Sequence, residues 1–157
     1  AHRISSQTLL LKDKRGRYRN DRMGVFDHSG LVYLAVEPEF VEEKMGELFE
    51  DIRTLLEREL ELDQLFYHAG LIHLVFAHIH PLWDGNGRTA RLLEKWFLSQ
   101  KLSSTAWKLQ SERFYKEHLP EYYGAIHLGV NYYELDYDRC LPFLMFWPQI
   151  LEMEATA

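Results

Sequence analysis

Most of what would make this 157-residue chain anything other than one globular domain is missing from it. With a single cysteine, Cys140, it has neither an internal disulfide framework nor a cysteine-built zinc site, and that scarcity fits a reducing compartment. Its five prolines and nine glycines are scattered, so no linker divides the chain, and no segment repeats at a fixed period. Long apolar runs are absent. Leu71–Ile79 is broken by His73 and His78, and Leu141–Trp147 is far shorter than the roughly 20 residues that span a bilayer. Positive charge is not in excess either: 18 Lys+Arg against 24 Asp+Glu leave a formal charge of -6, which argues against a coat for nucleic acid. The opening Ala1-His2-Arg3-Ile4 lacks both an initiator methionine and an apolar signal core. These absences predict a cytoplasmic protein with no membrane or nucleic-acid contact. Residues 1–16 are expected to be the end of a truncated upstream region, 17–151 one domain and 152–157 a tail.

What is present is a globular balance, 46% hydrophobic and 27% charged. Lys12 to Arg22 gathers six basic and two acidic residues around Gly16 and Asn20, which reads first as a solvated loop and second as a strip for an acidic partner or phosphate. Two short β-prone runs, Met23–Phe26 and Leu31–Leu34, flank a turn ending in Gly30 and predict a hairpin. Pro38 then suits a first helical turn, and Val41, Met45, Leu48, Phe49, Ile52, Leu55 and Leu56 give an amphipathic helix with a Glu-rich solvated face. Asp63 is placed to cap the next helix, with Leu62 to staple it. From Leu65 to Ile79 the apolar positions spread so widely that this helix should be central, ending where Pro81 disfavours helical geometry at His80. The pattern resumes from Gly87 to about Gln100 through Ala90, Leu92, Leu93, Trp96, Phe97 and Leu98. Shorter helices are expected near Ser111 and over Tyr122–Leu128. A last one would be capped by Asp136 and run through Leu151, with Pro148 kinking its end. The fold class is mainly α, a helical bundle with one small β-hairpin.

The loop from His80 to Arg91, HPLWDGNGRTAR, concentrates groups that a buried connection has no use for. Gly85 and Gly87 permit positive φ or close backbone approach, so the unpaired N–H groups that open the next helix form an anion site, reinforced by the helix dipole. Arg88 and Arg91, three apart, put two guanidinium forks on one face beside it, enough for more than one phosphate group. Asp84 is an odd neighbour for phosphate unless a cation lies between, and magnesium commonly takes one carboxylate plus phosphate oxygens. His80, with an ordinary pKa near neutrality, is suited to take a proton from an attacking hydroxyl. Singly, these parts read as a helix end, a turn and a solvated face; jointly they point to transfer from a magnesium-bound phosphate donor to a hydroxyl.

The same twelve residues resemble the Fic family signature, HxFx(D/E)GNGRxxR, at every fixed position except the phenylalanine, which is Leu82 here. Leucine should keep the apolar anchor while loosening the loop slightly. The order of elements resembles the family over roughly residues 17 to 150. The resemblance implies a Fic-type helical bundle and protein AMPylation, in which AMP passes from ATP to a Ser, Thr or Tyr hydroxyl of a target protein and pyrophosphate leaves. It implies His80 as general base and Asp84 as magnesium ligand. Gly85, Asn86 and Gly87 would lie around the α-phosphate, and Arg88 and Arg91 on the β- and γ-phosphates. Tyr123, in Tyr122-Tyr123, would take the adenine, while Asn131 falls one step beyond the usual spacing. The hairpin near Phe26 and Leu31 resembles the family's flap, which pairs main chain to main chain with the target.

The inhibitory motif (S/T)xxxE(G/N) of many members is not present, because no Ser or Thr has a Glu four positions later. Inhibition would then come from a segment or antitoxin outside this chain. Alternatives within the family are UMP transfer, phosphocholine transfer and removal of AMP; the phosphorylating branch replaces the glycine at Gly87. Outside it stand a metal-dependent hydrolase built on His78, His80 and Asp84, with His73 nearby, and a non-catalytic binding module.

Overall fold

The computed structural model describes residues 2–7 and 10–155. Its centre is helix α3 (Leu62–Ile79), which buries residues on nearly every side, from Leu65, Ala69 and Ile72 to Phe76 and Ile79. Before it come the short helix α1 (His2–Ser5), strands β1 (Gly24–Asp27) and β2 (Gly30–Leu34), and helix α2 (Val41–Glu57). After it come α4 (Asn86–Leu102), α5 (Ser111–Glu117), α6 (Leu119–Ile126), α7 (Leu141–Leu144) and α8 (Phe146–Ala155). Helix α2 lays Val41, Met45, Leu48 and Ile52 on the core, one residue per turn, while Phe49 stays on the surface. On the far side Phe66 meets Trp147 of α8 with ring centroids 4.9 Å apart. The mainly helical class with one hairpin is the expected one. Among the described residues no helix is long and apolar enough to cross a membrane.

Several local readings are corrected. Helix α3 begins at Leu62, which is exposed and staples nothing; Glu61 precedes the helix and its N–H donates to Gln64 Oε1 at 3.0 Å. Asp63 lies inside the first turn, its carboxylate accepting from Gln64 N at 2.9 Å. The expected last helix is broken. Asp136 caps only a 3-10 turn over Tyr137–Arg139, and α7 and α8 follow separately. Pro148 stands in the first turn of α8, where a missing N–H costs nothing, rather than at its end. Helix α6 starts at Leu119, earlier than the apolar pattern suggested.

The hairpin pairs Val25 with Tyr33 and Phe26 with Leu31, with a register shift between Val25 and Phe26. Two anchors hold it, one at the end of α3 and one on the loop that follows α6. Tyr33 donates its hydroxyl to the carbonyl of His78 at 2.7 Å, and Leu34 N donates to Val130 O at 3.0 Å on the opposite edge. The hairpin therefore stands directly beside the residue that follows α3, His80.

Candidate active site

Helix α3 ends with its C-cap, His80, in left-handed geometry at φ 52° and ψ 55°. A side chain seldom adopts this conformation, so neighbouring groups must hold it. Arg19 is the main one. This fully buried residue donates Nε to His80 O at 2.6 Å, Nη2 to Ile79 O at 3.2 Å and to Val36 O at 2.6 Å, and its own N–H to Pro81 O at 2.8 Å. The basic strip is thus not wholly solvated: Arg19 turns inward and joins the exit of the hairpin to three successive carbonyls around His80.

The His80 ring follows from its backbone. Its Nδ1 lies 3.2 Å from Ala77 O, and a carbonyl only accepts, so Nδ1 carries the hydrogen of the neutral ring and Nε2 keeps its lone pair. Burial lowers the His80 pKa; the Ala77 bond raises it, Arg19 lowers it and Asp84 raises it, with burial prevailing.

Helix α4 opens at Gly85, whose φ of 80° and ψ of 15° call for glycine. A Cβ there would stand 3.2 Å from Arg88 Nη2. The first ladder bond runs from Thr89 N to Gly85 O at 2.9 Å, so the N–H groups of Asn86, Gly87 and Arg88 have no acceptor within the helix. Asn86 is buried and clasps the loop from within: Nδ2 donates to Leu82 O at 2.8 Å and Oδ1 accepts from Leu82 N at 2.9 Å. Leu82 is buried in the core, the anchoring expected of it. Asp84 and Arg88 form an exposed ion pair at 2.9 Å. From outside, His2 Nε2 donates to Asp84 O at 2.9 Å while its Nδ1 accepts from Gly16 N at 3.1 Å.

One cavity of about 790 Å³ is lined by His80, Asp84, Gly85, Asn86, Gly87, Arg88, Arg91 and Tyr123 together. Residues 23–27 of the hairpin form another wall, so Phe26, 70% exposed, faces it. Leu31, 53% exposed, is on the hairpin but not on the cavity wall. Asn131 is not brought to the cavity; its side chain caps the turn Tyr132–Glu134. Tyr122, the first residue of the Tyr122-Tyr123 pair, also lines the cavity, as do Trp83 of the loop and Tyr33 of the hairpin, to which the sequence assigned no role.

The rival metal set does not assemble. His73 is buried between Glu94 Oε2 at 2.8 Å and Tyr122 Oη at 2.9 Å. His78 donates Nε2–H to Ile126 O at 2.8 Å and meets Tyr137 Oη through Nδ1 at 2.9 Å, so both nitrogens are engaged. Among the described residues no three His, Cys, Asp or Glu side chains stand together as ligands. A hydrolytic metal centre on these residues is therefore set aside.

A family model described as the Fic/DOC family matches residues 2–98. A relative from Nematostella vectensis, "Protein adenylyltransferase Fic", is 41% identical over 78 residues, which cover 50% of this chain and 16% of that protein. Among solved structures, a Fic family protein from Desulfovibrio desulfuricans G20 superposes with a TM-score of 0.75 at 24% identity over 99% of this chain and 45% of its own. A Fic domain containing signaling protein from Bacteroides thetaiotaomicron VPI-5482 does so with a TM-score of 0.66 at 21% identity, over 87% of this chain and 51% of its own. The two structures speak for the fold, and the chain spans about half of each and about a sixth of the curated relative.

Proposed function

The chain belongs to the Fic/DOC family, and from that premise we propose that it is a protein adenylyltransferase moving AMP from Mg-ATP to a Ser, Thr or Tyr hydroxyl of a target protein. The observation that carries this reading is the ring of His80, which donates Nδ1–H to Ala77 O and so holds Nε2 as a lone pair on the wall it shares with the opening turn of α4. The name of the Nematostella relative supports the choice of AMP.

In this reading His80 Nε2 takes the proton of the incoming hydroxyl, whose oxygen bonds to the α-phosphorus as the bond to the β-phosphate breaks and pyrophosphate leaves. The free N–H groups of Asn86, Gly87 and Arg88 face the developing charge. Asn86 contributes through its main chain, because its side chain is committed to Leu82. Arg88 and Arg91 bind the β- and γ-phosphates, and Tyr123, 57% exposed on the cavity wall, offers its ring to the adenine. Magnesium fits the donor set: Asp84 presents one carboxylate beside the phosphate turn, and the ion would neutralise phosphate charge.

The target is read along β1, which lines the cavity and, in a two-stranded sheet, has β2 on only one side. Backbone pairing there brings a hydroxyl to His80 whatever the neighbouring sequence. An inhibitory segment or antitoxin would come from outside this chain.

Incubation with a lysate and ATP labelled at either the α- or the γ-phosphate tests the proposal. Label should enter protein from the α-position and vanish with His80→Ala. Label arriving only from the γ-position, or unaffected by that variant, overturns it.

A further inference from the structure

Behind the cavity lies a polar chain that the proposed chemistry does not use. Glu94 and His73 are completely sequestered in the core, one on α4 and the other on α3. Glu94 Oε2 receives the His73 Nδ1–H at 2.8 Å and the Tyr115 hydroxyl at 3.1 Å. Glu94 Oε1 has no hydrogen-bond partner at all among the described residues. Burying a carboxylate this way is costly, and an apolar residue would pack the same stripe without that cost. The arrangement asks for a reason.

The chain leads outward. With Nδ1–H given to Glu94, the other nitrogen of the ring, Nε2, faces the Tyr122 hydroxyl at 2.9 Å and can accept its hydrogen. Tyr122 thus donates its hydrogen inward and turns its oxygen lone pairs toward the cavity. There the Arg91 guanidinium stands beside it: Arg91 Nη1 and the Tyr122 oxygen flank Gly87, 3.5 and 3.9 Å from where a Cβ would sit. Burial pushes the Tyr122 phenol up to about 12, and the charge of Arg91 pulls against it. The ring of His73 is fixed by edge contacts to Tyr115, Tyr122 and Phe143, so the chain has little freedom to turn.

We infer that Glu94, His73 and Tyr122 are positioning residues: a buried carboxylate–imidazole–phenol relay that presents an oriented oxygen to Arg91 and holds its guanidinium for the terminal phosphates of the nucleotide. This rests on the reading of Arg91 as a phosphate ligand. Arginine only donates and a carboxylate only accepts, so the relay is the arrangement in which the His73 ring gives its one hydrogen to Glu94 and takes that of Tyr122.

Calorimetric titration of the full chain with Mg-ATP and, separately, with AMP tests the relay, because AMP has no terminal phosphates for Arg91 to hold. Tyr122→Phe removes one oxygen and should weaken Mg-ATP about tenfold while changing AMP by less than about twofold. The paired change His73→Phe with Glu94→Met removes the carboxylate and the imidazole together, at a stability cost from the Tyr115 hydroxyl left without its acceptor, and should show the same split. The triple variant should lose no more than the weaker of the two, since residues acting through one chain are not additive. Equal weakening of Mg-ATP and AMP would mean ordinary core loosening and overturn the relay, as would unchanged binding of both. A wild-type chain that binds AMP but gains nothing from the terminal phosphates would instead overturn the reading of Arg91.

Discussion

Arg19 Nε donates to the carbonyl of His80 at 2.6 Å, so a fully buried cation sits directly behind the backbone of the candidate base. Helix ends carry partial negative charge on their unpaired carbonyls, and the Arg19 guanidinium answers those of Ile79 and His80 while reaching Val36 at the foot of the hairpin. It holds a side chain in left-handed geometry that would otherwise relax.

Arg19→Leu should therefore cost about 3 kcal/mol of folding stability, because it orphans several buried carbonyls at once. Arg19→Lys should recover only part, since one ammonium cannot reproduce a guanidinium fork. Urea unfolding of the two variants measures this, and a loss under about 1 kcal/mol for leucine would show that the clamp is ornamental.

Stability should fall with acid in a defined window. Burial lowers the pKa of His78 from 6.5 to about 4, and that of His80 is lowered too. The unfolded chain then binds protons first, so both contributions are complete above pH 6.5 and are lost as pH falls below it, that of His78 down to about 4. For His78 alone the loss approaches about 3 kcal/mol at the bottom of the window. Unfolding free energies at pH 7.5, 5.5 and 4.5 should trace this, and His78→Gln should flatten it; an equally steep fall in that variant would place the effect elsewhere. The activity profile should likewise keep its acid limb below pH 6.5, since neutral His80 is the competent form.

Asp84→Ala should separate stability from binding. Its ion pair with Arg88 is exposed, and such pairs contribute under about 1 kcal/mol, so the unfolding midpoint should hardly move. Magnesium should then no longer enhance ATP binding. Retained magnesium dependence in a titration would remove Asp84 from the metal's ligands.

Gly85→Ala puts a Cβ on a residue at φ 80°, 3.2 Å from Arg88 Nη2. The expected penalty is about 1 kcal/mol in stability with a larger relative loss in nucleotide affinity, because the opening turn of α4 must shift. An affinity equal to wild type would show that the turn tolerates either geometry.

Much of this site was legible beforehand because its signals are local. The glycines, arginines and carboxylate of residues 84–91 act through spacing along one loop and helix start, and the apolar periodicity of α3 is strong enough to survive tertiary context. What escaped is held together across the chain. Arg19 looks like its basic neighbours, and only its distance from His80 in space distinguishes it. Glu94 carried a fainter signal, since it shares a helical stripe with Ala90, Phe97 and Leu98. The apolar reading favoured Leu92 and Trp96 instead, and both are exposed. Helix caps and the broken C-terminal helices depended on which of several polar groups found a partner, which propensity leaves open.

The hairpin is closed at the end of one flank. Leu34 is bridged to Asn131 and bonded to Val130, so the 130–131 segment stands as a fence against β2. On the proposed reading a target polypeptide would take the outer side of β1, the strand that lines the cavity together with His80. Selection there would then be made by reach and slack: a stretch able to uncoil for a few residues would get in, and a rigid surface bearing the same hydroxyl would stay out.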